Sequence, residues 1–178
     1  MRVLYTLIIA TIGITMGCTA GKKQQTMYST KDINIEQFMG TWYEIARFPH
    51  RFERNLVGVT ASYRLKKNGK VEVINKGFKN TLDGKQKKAK AFAKISNPEE
   101  TGRLKVFFFW PFGADYLVLD IDEDYTWALI GSSSPDYLWI LSRTPELPND
   151  TYQKIVHKAK SIGYDVSKLE TVKQKVKQ

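Results

Sequence analysis

From residue 42 to residue 143 the chain is cut into short apolar segments by turn residues, a pattern that points to an all-β fold. The turn signals are Asn68-Gly69, Asp83-Gly84, Asn97-Pro98 with Gly102, Pro111 with Gly113, Asp122 to Asp124, and Ser132 to Asp136. Eight candidate strands lie between them, at about 42–48, 57–66, 71–78, 87–95, 103–109, 115–121, 126–131 and 137–143. Nearly all connections are short, which favours antiparallel neighbours. One helix follows, at about 150–162, where Tyr152, Ile155, Val156, Ala159 and Ile162 share a face. Asn149 or Asp150 can cap its start and Gly163 can end it. A ninth short strand is expected near 169–173. These elements predict an eight-stranded antiparallel up-and-down β-barrel, which has no free edges, with one C-terminal α-helix packed outside. A β-sandwich is the rival.

Alternation separates the two faces of each strand. Glu72 and Lys76 face solvent, which turns Val71, Val73, Asn75 and Gly77 inward. Lys88, Lys90 and Lys94 do the same for Ala89, Ala91, Ala93 and Ile95, as Arg103 and Lys105 do for Leu104, Val106 and Phe108. Arg64 places Val59, Ala61, Tyr63 and Leu65 inside. Three alanines on one inner face fill little volume, so the barrel is expected to keep a cavity; facing aromatics that fill the gap are the alternative. The strand at 137–143 is apolar on both faces and needs cover on both, and the helix supplies the outer cover.

The N-terminus carries a different message. A basic start at Arg2, an apolar stretch from Val3 to Met16 and a small residue, Gly17, form the layout of a secretory signal. Cys18, the only cysteine, follows directly. Residues 1–17 are read as a signal peptide, 18–33 as a lipidated N-terminus and tether, 34–173 as the barrel domain and 174–178 as a basic tail. An exported protein with one cysteine has no disulfide of its own, so the core must hold the fold. Net charge is +10, from 28 basic and 18 acidic residues. For an exported chain that charge meets anionic lipid before nucleic acid.

Several motifs carry a resemblance. Ile14-Thr15-Met16-Gly17-Cys18 resembles a bacterial lipoprotein signal box, with Thr15 standing where leucine is usual. Gly40-Thr41-Trp42 looks like the Gly-x-Trp signature of the lipocalins, Asp124-Tyr125 resembles part of their second motif, and Ser142 to Pro145 their third. The stretches Gly40 to Arg54, Asn75-Lys76-Gly77 and Asp136 to Pro145 are closest to the bacterial outer-membrane lipocalins, relatives of apolipoprotein D. The similarity covers about residues 34–173.

The resemblance implies a cup that binds fatty acids or lysophospholipids, for lipid storage or transport at the cell envelope. It also implies a lipid anchor on Cys18 and an outer-membrane location facing the periplasm. Gly40, Trp42 and Arg143 are expected to be structural, with the Arg143 guanidinium over Trp42 closing the floor. Parity from Trp42 places Glu44 and Ala46 inside, and parity from Arg143 places Leu141, Trp139 and Tyr137 inside. Ligand contacts are expected from Glu44, Ala46, Phe52, Val59, Ala61, Asn75, Ala91, Phe108, Tyr116 and Trp139; Trp139 matches a ligand-contacting tryptophan of the apolipoprotein D group. Glu44 is the odd residue in an apolar cup. It either titrates upward, bonds Asn75 or a tyrosine, or is a satisfied buried polar group.

The mouth loops near 49–56, 79–85, 110–114 and 132–136 mix Phe52, Leu82, Trp110, Pro111 and Phe112 with Arg51, Arg54, Lys79 and Lys85. That mixture suits an acyl tail with an acidic head, and the same aromatics are a candidate homodimer contact. No enzyme is expected: His50 and His157 do not form a pair, the cup has no cysteine, and no metal-ligand spacing or phosphate loop appears. No cofactor, metal or nucleic acid is expected. The remaining alternatives are a lipid-modifying enzyme and a basic surface-binding module.

Overall fold

The computed structural model describes residues 33–176, so Cys18, the signal and most of the tether lie outside the described residues. Eight strands form the wall: β1 Gly40–Arg47, β2 Leu56–Leu65, β3 Val71–Lys79, β4 Gln86–Ile95, β5 Arg103–Phe109, β6 Phe112–Ile121, β7 Trp127–Gly131 and β8 Leu138–Ser142. Each pairs antiparallel with the next, and β1 pairs with both β2 and β8, which closes the barrel. The sixth strand starts at Phe112 rather than near 115, because Phe109 and Phe112 still pair and leave only Trp110 and Pro111 between the strands.

Closure is uneven around the barrel. Pairing of β1 with β2 stops at Tyr43↔Thr60. Above that point the C-terminal segment fills the gap: strand β9 (Glu170–Thr171) pairs with β1, Val172 N–H donates to Ile45 O at 2.8 Å, and Gly58 N–H donates to Lys173 O at 2.7 Å. Gln174 Nε2 then donates to Glu44 O at 2.7 Å and Val59 O at 3.0 Å. The folded unit therefore runs past the expected end at 173. It also starts one residue earlier than expected: Ile33 is buried in the core and its carbonyl accepts from Thr101 Oγ1 at 2.9 Å.

Two apolar clusters share the wall. The inner one includes Trp42, Tyr63, Val71, Val73, Ala91, Ala93, Leu104, Val106, Val118, Ile130 and Leu141. The outer one joins Ala46, Phe48, Leu117, Leu119, Trp127, Leu129, Leu138 and Ile140 to Ile155 and Ala159 of helix α2 (Asn149–Ser161), which is longer than the N-terminal helix α1 (Ile35–Phe38). Strand β7 is buried at all five positions, so it too is apolar on both faces. The helix begins after Pro148, its N-cap, rather than at a cap formed by Asn149 or Asp150, although Asp150 Oδ1 accepts from the Thr151 amide at 2.7 Å, and it ends before Gly163 at φ +99°. Ile155 is fully buried in this seam. Ile155→Ala is expected to cost about 3 kcal/mol in urea unfolding, from lost burial plus the cavity left behind. A loss below about 1 kcal/mol would mean that the helix contributes little to the barrel.

Candidate functional site

One end of the barrel is sealed. A short helix, α1 (Ile35–Phe38), is capped by Asn34 Oδ1, which accepts from the Glu36 and Gln37 amides. It drives Phe38, fully buried, into the bore against Trp42 at 5.1 Å and Tyr63 at 5.2 Å between ring centroids. Trp42 Nε1 donates to Phe38 O at 2.9 Å. Arg143 lies with Cζ 3.8 Å from the Trp42 ring centroid and donates to the carbonyls of Gln37, Thr41 and Tyr125. Gly40, at φ +98°, leaves room for that guanidinium: a Cβ there would lie 3.1 Å from Arg143 Nη1. The expected floor is thus present, and α1 adds a plug that strand periodicity could not reveal in four residues.

Above the floor the bore is lined as alternation predicts over most of the wall. Ala61, Asn75 and Ala89 occupy paired inward positions on β2, β3 and β4. Ala61 and Asn75 are partly open to solvent and Ala89 is exposed, while Ala91 and Val59 are more deeply buried. Tyr63 and Tyr116 hydroxyls pair at 2.9 Å lower down, and burial pushes both phenols up. Asn75 Oδ1 is buried without a hydrogen-bond partner in the protein. Phe108 is half-exposed beside the mouth, and Phe52 projects from the rim with Arg51 Cζ 4.7 Å from its ring.

Strand β1 departs from the expected parity. Its pairing with β8 shifts between Glu44↔Leu141 and Ala46↔Ile140, leaving Ile45 as an extra residue. The bulge turns Ala46 outward, into the cluster under α2, so Ala46 does not line the cup. Arg47 takes the inward place opposite Trp139. Its Nη1 donates to Glu44 Oε1 at 2.6 Å, and its Nη2 donates to Glu53 O at 2.9 Å and Leu56 O at 3.1 Å. Glu44 therefore bonds Arg47 rather than Asn75 or a tyrosine.

The loop at 49–56 folds into the mouth. His50 Nε2 lies 2.8 Å from Glu53 Oε2, and Trp139 Nε1 donates to the same oxygen at 3.2 Å. His50 packs among Phe52, Tyr137 and Trp139, with ring centroids 5.5–6.1 Å apart. Burial, then the neighbouring Glu53 charge, pushes Glu44 up to about 8, against the opposing pull of Arg47. Burial acts on Glu53 in the same direction, but contacts from His50, Trp139 and Arg47 outweigh it and lower its carboxyl. Arg47, His50 and Glu53 were missed as cup residues because strict alternation turns Arg47 outward and a rim loop carries no period. The only available signal was a charged pair, Glu44 and Arg47, in an otherwise apolar strand.

A cleft of about 500 Å³ bordered by Phe48, Pro49, Asp136 and Ser167 to Glu170 lies on the outer wall. The bore is the better candidate site, because small inward side chains, a sealed floor and polar groups converge there and do not converge at the cleft.

A closed antiparallel barrel, plugged at one end and open over a partly polar bore, is the form of a protein that encloses a small apolar ligand. The family model of the lipocalin-like domain matches residues 33–174, and the chain belongs to the lipocalin family. Among its relatives is outer membrane lipoprotein Blc of Citrobacter freundii, 39% identical over 176 residues, covering 98% of each chain. Mouse apolipoprotein D is 34% identical over 153 residues, covering 81% of this chain and 78% of its own. The solved structure of insecticyanin from the tobacco hornworm Manduca sexta superposes with a TM-score of 0.68 at 21% identity, covering 84% of this chain and 85% of that one.

Proposed function

We propose that the cup carries a single-chain lipid, a fatty acid or lysophospholipid, and that Cys18 anchors the carrier by acylation to the periplasmic side of the outer membrane. The observation that carries the reading is that Ala61, Asn75 and Ala89 face inward yet remain accessible, above a floor sealed by Phe38, Trp42 and Arg143. An acyl tail would lie among Val59, Ala61, Ala91, Phe108, Tyr116 and Trp139. Its head would reach the rim cations Arg51, Arg54, Lys79 and Lys85. The homology to outer membrane lipoproteins supports the location. Glu44, Arg47, Glu53 and His50 engage one another, which fits a binding role rather than a catalytic one.

Burying about ten methylenes contributes about 8 kcal/mol gross. Association costs subtract from this and aromatic contacts add to it, leaving a Kd on the order of micromolar. Trp139 fluorescence is expected to change on stoichiometric addition of palmitate or lysophosphatidylethanolamine. Ala61→Phe, which fills the bore at mid-height, is expected to weaken that response by about tenfold or more, equivalent to about 1.4 kcal/mol. Unchanged emission with both lipids in the parent, together with no lipid recovered on extraction, would sink the proposal.

A further inference from the structure

Beyond the cup, the hairpin joining β5 to β6 bears the sequence Phe107-Phe108-Phe109-Trp110-Pro111-Phe112. Phe109, Trp110 and Phe112 are 78%, 69% and 80% exposed. Strand β4 starts at Gln86, yet its pairing with β5 begins only at Phe92↔Phe107, so no strand pair holds the hairpin tip to β4. Contiguous aromatics on a projecting tip are costly in water and mark a contact surface.

The surroundings of the tip are cationic. Trp110 packs on Phe107 at 5.5 Å and on Phe92 at 6.3 Å between centroids. Lys94 Nζ sits 5.7 Å from the Trp110 centroid, and Lys70 Nζ 5.0 Å from that of Phe92. Lys87, Lys88 and Lys90 stand exposed on the half of β4 that pairs with β3 but not with β5. The nearby acids are neutralised: Asp115 by Lys105 at 3.4 Å and the Ser133 hydroxyl, and Glu72, opposite Phe92, by Arg64 at 2.6 Å and Lys66 at 3.1 Å.

We infer that this tip inserts into the interface of an anionic phospholipid bilayer, with the lysines of β4 against the headgroups. Exposed aromatics beside lysines match the layering of such a surface, where rings sit at headgroup level and basic residues meet anionic charge. A second copy of the chain fits less well, because a two-fold contact through the tip would bring two sets of these lysines together. The geometry also permits a shared membrane with an anchor on Cys18. The floor end carries Ile33, and the fifteen residues 18–32 reach at most about 50 Å when extended, longer than the roughly 34 Å of a ten-residue strand.

The test uses the full mature protein on phosphatidylglycerol–phosphatidylethanolamine vesicles whose acyl chains are brominated. Trp110 emission, isolated by difference with Trp110→Phe, is expected to be strongly quenched by the brominated lipid. Phe109→Ser is expected to reduce that quenching about twofold or more, and Lys88→Glu/Lys90→Glu to lower it and to lessen the loss of quenching that added salt causes in the parent. Both variants should bind fatty acid in the cup as the parent does, which separates this proposal from the cup reading. Vesicle-bound protein whose Trp110 emission ignores bromine overturns the inference. So does a tip-dependent dimer in sedimentation without bromolipid quenching, which would assign the tip to a second copy.

Discussion

Trp42→Ala is expected to lower the unfolding free energy by about 5 kcal/mol, the largest single-site loss in the barrel. Three effects add at this position. A fully buried indole is removed, a change that costs about 3–5 kcal/mol in cores. The Arg143 guanidinium, 3.8 Å from the ring, loses a cation–π partner worth about 0.5–2 kcal/mol. The Phe38 carbonyl loses its donor, which frees the α1 plug from the floor. Because domains have only about 5–15 kcal/mol in hand, the alanine variant could fail to fold, and Trp42→Phe provides the graded test. Phenylalanine keeps a ring under Arg143 but removes the indole N–H, for an expected loss of about 1–2 kcal/mol. A double-mutant cycle of Trp42→Phe with Arg143→Lys in urea reports their coupling. A loss under about 1 kcal/mol for Trp42→Ala would contradict the floor as described.

The stability of the parent is expected to fall between pH 5 and pH 8.5, and Glu44→Gln is expected to remove much of that fall. Folding raises the Glu44 carboxyl from 4.5 to about 8, mainly through burial. The folded state therefore holds a proton that the unfolded state releases. The associated stability is fully present below about 4.5 and is lost as pH rises through about 8. The difference corresponds at its limit to about 5 kcal/mol, and relaxation around the charged form makes about 2–4 kcal/mol a realistic swing. Glu53, lowered on folding, acts in the opposite sense and in a separate window: its contribution is lost as pH falls below 4.5. His50 and Arg47 face the same pocket, so the comparison is between parent and Glu44→Gln across pH, not between two pH values of the parent. Parallel stability curves would show that Glu44 does not hold its proton in the fold.

What the sequence determined by itself was everything governed by local periodicity and by the count of strands. Period-two alternation with lysines and arginines on one face assigned most of the inner positions of β2 to β5, since each charged side chain needs water and fixes its neighbours by parity. Leu65 and Phe108, expected inside, are exposed. An up-and-down path of eight strands then brought Trp42 and Arg143 to one end, although about 100 residues separate them. The double-sided apolarity of β8 announced the helix that covers it.

Tertiary structure alone decided where that parity breaks. The extra residue Ile45 reflects how β1 must bend to pair with β8 on one side and β9 on the other, and no local propensity marks it. One inserted residue exchanged Ala46 for Arg47 in the cup and so determined which charges meet Glu44. The burial of His50 and Glu53, the Phe38 plug and the stitching of Gln174 between β1 and β2 have the same origin. Each depends on contacts between segments distant in sequence, where the geometry of barrel closure, not the pattern of neighbouring residues, selects the partner.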